Sequence, residues 1–204
     1  MTGIASVTLE GSDVAAAEAF YANAFDLGDS VGVRASDEPT SGFRGFFMSL
    51  VVSQPGTVDS LVGTSLDAGA AVLKPVAKSF WGYGGVVQAP DGTIWKVATS
   101  SKKDTGPATR KVDDVVLLLG VDDVKATKRF YVERGLGVAK SFGSKYVEFE
   151  ANGSAVKLAL YGRRAAAKDA GVPAEGSGSH RIVIGSEAEA FTDPDGFVWD
   201  PAHA

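Results

Sequence analysis

The chain has 204 residues, a formal net charge of −5, two histidines and no cysteine. Disulfides and thiolate metal sites are excluded, an acidic chain is not expected to coat nucleic acid, and no apolar run is long enough to cross a bilayer. The N-terminus shows no basic start followed by an apolar core, so a cytoplasmic location is expected, with neither membrane nor nucleic acid as a partner.

Residues 4–9 alternate apolar and small polar side chains and read as a half-buried strand. Ser12 or Asp13 then caps a helix over 14–25, where Val14, Ala17, Phe20, Tyr21 and Ala24 form one apolar face and Leu27-Gly28 makes the stop. Strands are expected near 29–35 and 44–52, followed by a helix over 58–68 that Thr57 opens and Gly69 closes. Residues 80–97 read as an aromatic, glycine-rich strand, a Pro90-Asp91-Gly92 turn and a second strand. Pro sets φ, and Asp-Gly supplies the polar and conformationally permissive residues of a tight reversal. Residues 100–111 read as a linker.

The same grammar restarts at Val112. A strand over 115–119 precedes a cap at Asp122 or Asp123, a helix over 124–134 carrying Phe130-Tyr131, and a stop at Gly135-Leu136-Gly137. Strands are expected near 138–141, 145–150 and 155–161, then a helical patch over 164–170, a turn-rich stretch over 171–179 and a strand over 180–184. Phe191 to Asp200 repeats the hairpin around Pro194-Asp195-Gly196. Phe20-Tyr21 and Phe130-Tyr131 lie 110 positions apart, and the two Pro-Asp-Gly turns 104 apart, which marks a duplication.

A strand, a helix carrying Phe-Tyr with Leu-Gly just beyond it, further strands and a Pro-Asp-Gly-x-x-Trp turn, all present twice, resemble the vicinal oxygen chelate superfamily. This is the group of glyoxalase I, bleomycin resistance proteins and extradiol dioxygenases. Phe80-Trp81-Gly82 ahead of Ala89-Pro90-Asp91-Gly92 resembles its glyoxalase-like branch. The resemblance implies an α+β fold: two tandem βαβββ modules, 1–101 and 112–204, joined by a linker at 102–111. The modules would pair into an open, cup-shaped mixed sheet with helices outside.

In metal-dependent members each module gives one ligand from its first strand and one from its last. The resemblance puts the first-strand places at Ser6 and Val116 and the last-strand places at Lys96 and Asp200. Only Asp200 is a good donor, and a Lys ammonium has no lone pair to give, so neither a catalytic metal nor another cofactor is expected. A Lys96–Asp200 ion pair is expected instead, and these two are the candidates for any acid–base catalysis. Ser6, Thr8, Phe47, Trp81, Tyr83, Lys96 and Asp200 are the expected ligand-binding residues, with Gly82, Gly84 and Gly85 allowing close approach to the backbone. Strand parity sends Trp95 and Trp199 to the core. His180 and His203 read as loop or surface residues, and Arg163-Arg164 beside Tyr161 as an anion clamp or a basic surface.

The expected function is metal-independent binding of a small molecule, such as an antibiotic or hydrophobic metabolite, by a monomer or homodimer. Carboxylates at Asp37, Glu38, Glu148 and Glu150 would turn the cup toward a cationic ligand. The alternative is a glyoxalase-like lyase, isomerase or dioxygenase acting on a small oxygenated substrate. It would use a metal held by other residues, such as Glu10, Glu148, His180 and Asp200, or metal-free acid–base chemistry.

Overall fold

The structure is a computed structural model that describes residues 3–186 and 189–201; His203 lies outside the described residues. The first half contains β1 (Ser6–Gly11), α1 (Val14–Ala24), β2 (Val31–Ala35), β3 (Thr40–Gly42), β4 (Phe46–Val51), α2 (Pro55–Asp67), β5 (Ala71–Ser79), β6 (Gly82–Gln88) and β7 (Ile94–Thr99). The second contains β8 (Asp114–Val121), α3 (Val124–Glu133), β9 (Val138–Phe142), β10 (Tyr146–Phe149), β11 (Val156–Gly162), α4 (Arg163–Ala170), β12 (Gly176–Gly178), β13 (Ile182–Ser186), β14 (Phe191–Thr192) and β15 (Val198–Pro201). The fold is mixed α+β with open sheets. No helix among the described residues is long and apolar enough to cross a membrane.

Local chemistry explains the helix boundaries. Asp13 accepts from the Ala16 amide at 3.0 Å, and Asp123 accepts from those of Lys125 and Ala126 at 2.8 and 3.1 Å, so each carboxylate satisfies otherwise orphaned first-turn donors. α2 begins at Pro55, before the expected Thr57 cap, because Pro at the first helical position loses no hydrogen bond. β5 was not among the expected elements. It is an edge strand containing Lys74, Pro75 and Lys78, its register against β6 slips around Pro75, and such residues blunt an edge while hiding the strand pattern.

An eight-stranded sheet runs β5-β6-β7-β4-β8-β11-β10-β9, and a five-stranded sheet runs β14-β15-β13-β1-β2. β4 and β8 pair antiparallel, whereas β4 is parallel to β7 and β8 to β11. Two complete βαβββ units, 46–99 and 114–162, therefore meet along β4 and β8. The remaining pieces, β1-α1-β2 and β13-β14-β15, meet along the antiparallel β1–β13 pair. Both sheets thus draw strands from residues 1–101 and from 112–204. The residues between the halves are tied to α2. Buried Gln54 accepts from the Thr105 and Gly106 amides and donates to the Gly106 and Pro107 carbonyls, and Asp104 accepts from the Gly56 amide at 2.6 Å.

The two halves repeat one packing arrangement. Tyr21 lies 5.4 Å from Trp95 and Tyr131 lies 5.4 Å from Trp199, ring centre to ring centre. The two hydroxyls donate to Asp91 and Asp193, each at 2.6 Å. Trp95 and Trp199 are fully buried in the main core, as strand parity predicts. That core takes Met48, Leu50, Leu117, Leu119, Leu158 and Leu160 from one face of the eight-stranded sheet, with α1 to α3. The opposite face carries a smaller core of Phe43, Phe47, Val86, Ile94, Leu118 and Ala159, covered by Ala166, Ala167 and Ala170 of α4.

Candidate functional site

α4 lies across the face where the cup was expected. Its buried side chains are alanines, which lets the helix axis come close to the sheet. Gly120 makes the approach possible, since a Cβ there would sit 2.9 Å from Ala166 Cβ and 3.3 Å from Arg163 Cα. Gly171 closes the helix in the left-handed conformation at φ +84°, its amide bonded to the Ala167 carbonyl. Lys74 Nζ donates to the Lys168 and Asp169 carbonyls and caps the same end.

Next to α4 the register aligns Lys96, Ser49, Val116 and Lys157 in one row across β7, β4, β8 and β11. Lys96 Nζ meets the Asp169 carboxylate at 2.7 Å, both side chains being about one-third exposed, and Lys157 Nζ meets Asp114 at 2.7 Å. The Lys96–Asp200 pair expected from the sequence is thus replaced by Lys96–Asp169. Asp200 stands on β15 in the five-stranded sheet, in register with Gly185, which in turn pairs with Ser6. Ser6, Thr8 and Asp200 therefore belong to one sheet, while Phe47, Trp81, Tyr83, Lys96 and Val116 belong to the other sheet and its hairpin.

The expected binders are divided further. Phe47 has no exposed surface, because α4 covers it. Tyr83 donates to Asp59 of α2 at 2.8 Å, which holds its ring toward that helix. Trp81 is 83% exposed at the tip of the β5–β6 hairpin. Gly82 next to it has φ +142°, and its missing Cβ would fall on the Thr99 carbonyl oxygen. His180 is a structural residue. Its ring stacks on Phe197 at 4.0 Å, with Nδ1 2.5 Å from the Arg44 carbonyl and Nε2 3.1 Å from that of Asp195.

A cavity of about 1070 Å³ opens beside α4, lined among others by Trp81, Lys96, Phe142, Tyr146, Tyr161, Arg164 and Asp169. One wall is an aromatic ladder. Phe142, Tyr146 and Tyr161 are register partners on β9, β10 and β11, and neighbouring ring centres are 6.0 and 5.0 Å apart. Burial raises the Tyr146 phenol well above its ordinary range, helped by its hydrogen bond to Glu148. Burial, then the charge of Asp169, raises that of Tyr161. Both rings therefore stay neutral hydroxyl donors at physiological pH.

Asp169, Phe142, Ser49 and Lys157 were not expected at the site. For Ser49 and Lys157 the usable signal was a second, shorter repeat with one copy in each half: the strand before α2 and the strands after it copy the pattern of β8, α3 and the strands that follow. That repeat makes β4 a first strand and β11 a last strand.

No protein-family model matches the sequence, and comparison with curated proteins gives no match. Solved structures do match. Glyoxalase I from Zea mays superposes with a TM-score of 0.61 at 13% identity, covering 97% of this chain and 90% of that one. A candidate dioxygenase from Bacillus subtilis superposes with a TM-score of 0.60 at 11% identity, covering 97% and 84%. The chain has the vicinal oxygen chelate fold. At these identities the likeness concerns architecture and carries no activity.

Metal-dependent members of this fold hold an ion between first and last strands, so the donor set matters. Among the described residues no three His, Cys, Asp or Glu side chains gather as a metal site needs. The central row offers one hydroxyl, two ammonium groups and an isopropyl group, and the nearest carboxylates are already paired with the lysines. This set does not fit a divalent cation, which seeks three or more His or carboxylate donors.

Proposed function

We propose that this protein binds a small organic molecule without a metal ion, in the cleft between α4, the β9–β11 ladder and the Trp81 hairpin. The observation that carries the reading is the exchange at the central row. Lys96–Asp169 and Lys157–Asp114 neutralise the place where a cation would sit, and an aromatic-walled cavity adjoins it. A concave, largely apolar pocket with a few convergent polar groups is the usual form of a small-molecule site.

Trp81 supplies the test, because Trp95 and Trp199 are fully buried and it alone is within reach of a ligand. Aromatic compounds that bind are expected to protect Trp81 from acrylamide quenching. EDTA treatment is expected to leave their affinity unchanged. Binding that disappears with EDTA and returns with a divalent metal would defeat the proposal.

A metal-free enzyme is the second reading, favoured by the Lys96–Asp169 pair facing the cavity with Tyr161 nearby. A substrate that separated the pair would meet an ammonium able to give a proton and a carboxylate able to take one. Turnover of a bound compound that Lys96→Met abolishes, while its affinity persists, would select this reading over simple sequestration.

A further inference from the structure

We infer that the ligand of this cleft is a flat, ring-bearing anion, its carboxylate or equivalent acid held by Arg164 and Lys145. The inference rests on the cleft being a binding site. Charge bookkeeping within the cavity points this way. Lys96 is neutralised by Asp169. The Arg163 guanidinium donates to the Phe43 and Ala174 carbonyls, which leaves its positive charge uncompensated. Arg164 and Lys145 line the same cavity, are exposed, and form no ion pair among the described residues. Among the described residues, Asp122 is the only other acidic residue in the lining. An excess of positive charge thus faces the cavity in a chain whose formal net charge is −5.

The carboxylates that would have favoured a cationic ligand are not available. Glu148 accepts from Tyr146 and lies 3.7 Å from Lys140, while Asp37, Glu38 and Glu150 do not line the cavity. The ring requirement comes from the ladder of Phe142, Tyr146 and Tyr161 on one side and exposed Trp81 on the hairpin. Aromatic faces take flat rings by offset stacking, and guanidinium and ammonium groups take acids by charge-assisted hydrogen bonds.

Three probes of one ring and different charge test the inference: 2-naphthoate, 2-naphthamide and 2-naphthylmethylammonium, titrated into the full chain by calorimetry. The expected order of affinity is naphthoate, amide, ammonium, with about tenfold between the ends, the scale of one or two partly solvated charge contacts. Arg164→Gln combined with Lys145→Gln is expected to bring naphthoate to the affinity of the amide, and Trp81→Ala to weaken all three alike. Equal affinities, an ammonium that binds tightest, or a naphthoate preference that survives the double substitution would overturn the anion assignment and leave the binding reading intact. Failure of all three probes to bind would remove both.

Discussion

Asp193 sits buried at the second Pro-Asp-Gly turn. It accepts from Tyr131 Oη at 2.6 Å and from the amides of Asp195 and Phe197 at 2.9 and 2.8 Å. Burial outweighs these bonds and holds its carboxyl above the ordinary aspartate range. The folded state therefore keeps its proton more readily than the unfolded state, and stability falls as pH rises from the ordinary aspartate pKa through the raised one. Asp193→Asn has no such titration. In urea titrations from about pH 4 to 7 the wild type is expected to lose stability relative to this variant as pH rises. A relative gain with pH would show that the hydrogen bonds dominate. Lys96 and Asp169 call for a different experiment, since both are about one-third exposed. A double-mutant cycle with Lys96→Met and Asp169→Asn is expected to give a coupling of about 0.5–1 kcal/mol that shrinks in high salt.

At the scale of elements, α4 is the helix that covers part of one face of the eight-stranded sheet. Three buried alanine methyls, one ion pair and the Lys74 cap hold it down, and burial contributes only about 0.8 kcal/mol for each methyl-sized group. Its docking is therefore sensitive to space at Gly120. Gly120→Ala brings a Cβ to 2.9 Å from Ala166 Cβ and 3.1 Å from the Gly45 carbonyl oxygen, and is expected to cost about 1–3 kcal/mol. Limited proteolysis should then cut faster within 163–175. Adding Ala166→Gly removes one partner of the clash, so the pair should cost less than the sum of the singles, although glycine within a helix costs up to about 1 kcal/mol itself. Strictly additive costs would mean that the contact does not govern docking.

For the whole molecule, the interleaving of the halves sets the stability. Pairing from Phe46↔Leu119 to Val51↔Asp114 joins them at the centre of the eight-stranded sheet, and Ser6↔Gly185 to Leu9↔Ile182 joins them in the other. Separated, each half leaves the buried strands β4 or β8 and β1 or β13 with an unpaired backbone edge, a costly and aggregation-prone state. Fragments 1–101 and 112–204 made separately are expected to lack the near-ultraviolet signal of packed Trp95 and Trp199, and to regain it when produced together. A monomeric fragment with a native signal would count against this dependence.

Hydrogen-bonding and patterning rules act over a few residues, so the sequence alone determined the polar-capped helices α1 and α3, the Pro-Asp-Gly hairpins, and the buried Trp95 and Trp199. It also supplied the α+β class and the fold resemblance. Which strands lie side by side depends on contacts between residues far apart in the chain, and no local pattern encodes these. Lys96 and Asp200 occupy matching places in the repeat, yet they stand in different sheets because β4 pairs with β8 and β1 with β13. Asp169 reaches Lys96 only because alanines on α4 and a glycine on β8 let a helix settle on the sheet. The site was decided there, by packing at a distance of 73 residues between the ion-pair partners.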